Sequence, residues 1–213
     1  MGNIEFRADL KKLCEEYIQM IKYVNENRLD KLNEDFDNKI IQRMNQTIKE
    51  YLKTGYLNED LKEAKWIRFV IRVNHGWKRE LLDEKNESFG EEWLRDECIK
   101  QAKFCRKIEP YLAVYDYKKW KKSYCKFLDY CRKTPNVNIS PTLIQDFMWH
   151  AHLQDYFNYK SDCEDIVGRV ITHNTQNGSD DDSIKSDMTT CSSSDEVISS
   201  DKIKRYYGFE VNK

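Results

Sequence analysis

Three of the four histidines in this 213-residue chain, with one cysteine, lie within one stretch of 33 residues. The stretch runs Pro141-Thr-Leu-Ile-Gln-Asp146-Phe-Met-Trp149-His150-Ala-His152, then Tyr159, Asp162-Cys163, Gly168 and His173. Histidine nitrogens and cysteine thiolates are the side-chain donors that suit borderline-soft metals such as zinc. They are also the base and nucleophile of covalent catalysis.

Spacing narrows these uses. Asp146 and His150 are four apart, so a helix sets them on one face and the carboxylate can fix the imidazole's tautomer. His150 and His152 are two apart, and a helix points them about 200° away from each other. A second helix over Tyr156–Val167 carries Tyr159 and Cys163 on one face, and Gly168 ends it in a left-handed cap. Folding the two helices as a hairpin brings His150, Cys163 and His173 together.

Three readings follow. One is a zinc site of His150, Cys163 and His173, with His152 as a further ligand; its H-x-H-x10-C-x9-H spacing is that of no common finger. Another is a Cys163 nucleophile with His150 or His173 as base, oriented by Asp146 or Asp162. The third is a packed thiol among hydrogen-bonded, half-buried histidines.

The elements that must position these residues are helical. Apolar residues recur at three- and four-residue steps over 6–25 (Leu10, Leu13, Tyr17, Met20, Ile21, Val24) and over 36–54 (Phe36, Ile40, Met44, Ile48, Tyr51), with Gly55 as a stop. Residues 59–74 carry Leu61, Trp66, Phe69, Val70 and Val73, although Ile67, Phe69, Ile71 and Val73 also alternate as a strand would. Residues 91–108 read as a helix that Pro110 closes. Residues 115–133 put Trp120, Tyr124, Phe127 and Cys131 on one stripe, with lysines over much of the remainder. Ser140-Pro141 reads as an N-cap followed by proline at the first helical position, and His75-Gly76-Trp77 as a turn. The fold expected is mainly α, a compact helical domain over 1–173 with its signature hairpin at 141–173 and room for short strands.

Composition changes after His173. Residues 174–200 hold Asp180, Asp181, Asp182, Asp187, Asp195 and Glu196 against Lys185, among serines, threonines and asparagines. Such a segment is expected to be a disordered acidic insertion or linker. Tyr206, Tyr207 and Phe209 then suggest a C-terminal segment, 201–213, that docks on the domain.

The whole chain carries a formal charge of −1, and the aromatics of the lysine-rich helix sit at core spacing, so nucleic-acid binding has no clear footprint. No apolar run reaches the ~20 residues of a membrane span. Seven cysteines, an odd number, behind an N-terminus with no apolar leader suggest reduced thiols in the cytoplasm or nucleus. No HExxH, GxSxG or phosphate loop occurs.

The run Pro141-Thr-Leu, Asp146-Phe-Met-Trp149-His150-Ala-His152-Leu resembles the signature of the glycine-rich domain-containing protein-like family. Tyr159, Asp162-Cys163, Gly168 and His173 fall where that family has its Tyr, Asp-Cys, Gly and His. The helix before the motif and the ending Tyr206-Tyr207-Gly208-Phe209 are similar to the family's as well. Tyr156 stands where the family has proline, and the glycine-rich tail of many members is absent. The resemblance implies a helical, intracellular protein to which no reaction is firmly attached. The function expected is therefore a non-enzymatic interaction or scaffold domain with a protein partner. A zinc-binding protein, or a cysteine-dependent enzyme using Cys163, His150 and Asp146, is the alternative.

Overall fold

The computed structural model describes residues 4–33, 38–58, 60–85, 90–135 and 139–173, with side chains throughout except at 75–85. The acidic segment 174–200 and the C-terminal segment 201–213 lie outside the described residues. Among the described residues seven α-helices follow one another: α1 (Leu10–Glu26), α2 (Lys39–Thr54), α3 (Lys62–Lys85), α4 (Glu91–Leu112), α5 (Tyr117–Lys133), α6 (Leu143–Leu153) and α7 (Tyr156–Val167). A 3-10 turn, Leu29–Lys31, follows α1. No strand occurs among the described residues.

Side chains near each helix start explain where the helices begin. Asp9, Asn38, Asp116 and Asp155 each accept a hydrogen bond from a backbone N–H in the first turn of α1, α2, α5 and α7. These caps satisfy donors that a helix start leaves without partners. Thr142 and Gln145 form a reciprocal capping box for α6. The expected start at Ser140-Pro141 is therefore two residues early, because the Thr142–Gln145 pair satisfies two backbone N–H groups at once.

An alternative left open over 66–73 is decided and two further expectations are corrected. The alternation over 66–73 is helical, since α3 buries Trp66, Ile67, Phe69, Val70 and Val73 while Ile71 is only half-buried. His75-Gly76-Trp77 continues the same helix rather than turning. Pro110 lies inside α4, which ends two residues later at Leu112. Proline removes one N–H and crowds the preceding turn, a cost that is tolerated this close to the helix end.

The helices pack around α6. It touches α1, α3, α4, α5 and α7, and every residue from Phe147 to Leu153 is buried. On one side α1 and α4 pack together, and α4 also meets α2 and α3. Tyr17 of α1 is fully buried there, stacked on Phe147 at 5.1 Å and against Phe69 at 4.6 Å. On the other side α5 and α7 close over α6, with Trp120, Tyr124, Phe127 and Cys131 inward as their spacing predicts.

α6 and α7 form the expected hairpin. Only Gln154 and Asp155 separate them, and Asp155 supplies the cap of α7 with Tyr156 as its first residue. Gly168 ends α7 at φ 83°, its N–H bonded to the carbonyls of Cys163 and Glu164. A Cβ at Gly168 would meet no atom within 4 Å, so substitution there tests backbone conformation alone. Gly168→Ala is expected to lower stability by ~1–2 kcal/mol, the cost of a left-handed alanine, read as a lower urea midpoint with unchanged m-value.

Candidate functional site

α6 presents its two histidines to opposite sides of the core, as their spacing requires. Both are buried, so each must find polar partners inside the protein.

His152 meets α5 and α7. Its Nε2 lies 3.0 Å from Asp162 Oδ2 and its Nδ1 lies 3.1 Å from Tyr124 Oη. Asp162 also accepts the backbone N–H groups of Arg7, at 2.9 Å, and Ala8, at 3.4 Å. One carboxylate thus ties the N-terminal segment to the hairpin across about 155 residues of sequence. Burial raises the Asp162 carboxyl, but these donors outweigh it and hold the group below the ordinary carboxylate value. Phe6 covers the cluster, edge-on to the His152 ring at 5.2 Å.

His150 meets α1 and α4. Tyr17 Oη lies 3.3 Å from its Nδ1, and the Phe104 ring lies 4.6 Å away. Its Nε2 faces His173 Nε2 at 2.8 Å and Asp146 Oδ1 at 3.3 Å. His173 Nε2 is itself 3.1 Å from Asp146 Oδ1. These three side chains are the one group of donor residues among those described whose ligand atoms converge closely enough to hold a metal ion. Burial drives the His150 pKa down to about 4, against the raising influence of Asp146. Asp146 is pushed up by burial, yet His150 and His173 leave it below its usual value.

The sequence grouping of His150, Cys163 and His173 is therefore reached in part. His150 and His173 come together, and Asp146 joins them as the four-residue spacing allows. Cys163 and His152 are outside this group. Cys163 is buried on the Tyr159 side of α7, and burial raises its thiol against the lowering influence of the neighbouring Tyr159 hydroxyl and Ile171 backbone. Tyr159 accepts from Trp149 Nε1 at 2.9 Å and donates to the Ile171 carbonyl, fixing the segment that carries His173.

Sequence reasoning placed Tyr17 and Tyr124 in the core without seeing their hydroxyls as histidine partners. Arg7 and Ala8 contribute only backbone N–H groups, which no residue type announces.

Compared with known proteins, the chain matches no family model, no curated protein and no solved structure.

Two outcomes test this division. Asp162→Ala leaves a buried imidazole and two backbone donors without their acceptor, and is expected to cost ~3 kcal/mol or more in urea unfolding. The unfolded chain's histidine binds a proton near pH 6.5, whereas folded His150 does so only near pH 4. In that interval the unfolded state holds more protons, so stability falls as pH falls. Metal-free protein should therefore lose stability between pH 6.5 and 4, with a shallower slope in His150→Gln.

Proposed function

We propose that this chain is a member of the glycine-rich domain-containing protein-like family and serves in the cytoplasm or nucleus as a non-enzymatic interaction or scaffold domain with a protein partner. The observation that carries the reading is the use made of Asp162. This residue of the signature segment holds His152 and the Ala8 backbone in the core and the Arg7 backbone at its edge. Trp149 and Tyr159 are likewise joined to each other and to the Ile171 carbonyl. Signature groups that bind one another in this way support a role in the fold.

Two observations weigh against the cysteine-enzyme alternative. A nucleophilic thiol is exposed and has a lowered pKa. Cys163 is 1% exposed and its pKa is raised. No helix among the described residues is long and apolar enough to cross a membrane. Phe157, at the start of α7, is 83% exposed and offers a large apolar anchor for a partner.

Site-resolved alkylation of the native chain tests the non-enzymatic reading. Cys163 should be among the slowest thiols and half-buried Cys125 faster; preferential modification of Cys163 near neutral pH would contradict it. Phe157→Glu should leave the melting temperature unchanged and abolish a stoichiometric complex with the partner. A complex unaffected by that change would remove Phe157 from the interaction surface.

A further inference from the structure

Asp146 Oδ1, His150 Nε2 and His173 Nε2 form a triangle with sides of 2.8, 3.1 and 3.3 Å. Two neutral imidazoles cannot supply hydrogen bonds along all three sides. If both Nε2 atoms carry protons aimed at the carboxylate, the 2.8 Å His–His contact sets two donors against each other. If one is deprotonated and accepts from the other ring, its lone pair faces the carboxylate. One contact is always left without a hydrogen bond, and an unsatisfied buried contact is costly. A cation bound to all three atoms removes the conflict.

The dimensions suit a particular class of cation. A tetrahedral zinc centre with bonds of ~2.0–2.1 Å separates neighbouring donor atoms by ~3.3 Å. The triangle sits at or slightly below that spacing, so a small spreading of the side chains seats the ion. Two imidazoles and one carboxylate favour borderline transition metals, whereas calcium and magnesium take sets dominated by oxygen.

The surroundings also fit. Tyr17 Oη at His150 Nδ1 can accept that ring's N–H, which leaves Nε2 with its lone pair toward the triangle. Phe104 packs on His150 and Trp149 packs on His173 at 4.8 Å, making a low-dielectric wall. Exposure rises from 2% for the His150 side chain to 11% for His173 and 22% for Asp146. The Asp146 edge is thus the most exposed side of the triangle.

We propose that Asp146, His150 and His173 form a binding site for one divalent transition-metal cation of the zinc class. Asp146 Oδ1 and the two Nε2 atoms are the ligands, and solvent completes the coordination at the Asp146 edge. The site is separate from the His152–Asp162 cluster, and its loss leaves the interaction reading intact.

The test uses the full-length, untagged chain freed of metal by chelation, titrated with Zn²⁺ by calorimetry and with Co²⁺ by absorption. One ion per chain should bind, with no sulfur-to-cobalt charge-transfer band. Asp146→Asn and His173→Gln should each weaken binding more than ~100-fold, and Tyr17→Phe by ~10–100-fold. Both ligand variants should keep the wild-type circular dichroism spectrum. His173 lies on the connecting segment after α7, so its variant decides the matter if Asp146→Asn does not fold. The proposal is overturned by a folded wild-type chain that does not bind Zn²⁺. A thiolate band, or binding that His173→Gln leaves unchanged, overturns it equally.

Discussion

From Phe147 to Leu153 α6 is buried on every side, and a stretch with no solvent-facing position there carries two histidines. Much of the described architecture follows from that constraint. Each imidazole has two ring nitrogens to satisfy inside the core, and leaving them unsatisfied costs several kcal/mol. Two residues apart on a helix, the rings cannot share partners. The fold answers with one polar cluster on each side, and the helices that supply the partners are the ones that bury α6.

The two clusters differ in kind. On the α5–α7 side, His152, Asp162, Tyr124 and the backbone of Arg7 and Ala8 supply donors and acceptors that match, so the cluster is complete and closed. It acts as a staple between the beginning of the domain and its hairpin. On the α1–α4 side, three atoms with lone pairs crowd together with too few protons, and exposure increases toward Asp146. Completeness marks the first as structural, and the deficit marks the second as a place for a cation. Tyr17 and Tyr124 each set a hydroxyl against the Nδ1 of one histidine.

The helical class was legible in the three- and four-residue spacing of apolar side chains, and α5 follows its predicted stripe from Trp120 to Cys131. Asp146 with His150, and Gly168 as the stop of α7, were legible because both are local, governed by a few consecutive residues. Pro110 was misread because a proline near a helix end removes only one bond, so it does not stop the helix where it stands. Cys163 was grouped with the histidines on residue type and on the hairpin, which brings the two helices together without fixing which face of α7 meets His150. Its sulfur lies beside Tyr159, as the four-residue spacing on α7 has it, and outside the Asp146–His150–His173 group. What pairs with His152 depends on how α5, α7 and the N-terminal segment pack, and no spacing within one element encodes that.

The most direct test is the nitrogen NMR spectrum of the histidine side chains in the full chain, recorded without and with one equivalent of Zn²⁺. Ring ¹⁵N shifts report which nitrogen carries a proton and which binds a metal. The account predicts that His150 and His173 move, each with Nε2 as the bound nitrogen and Nδ1 protonated, while His152 keeps its shifts. A zinc-dependent change at His152, or no change at His150 and His173, would contradict it.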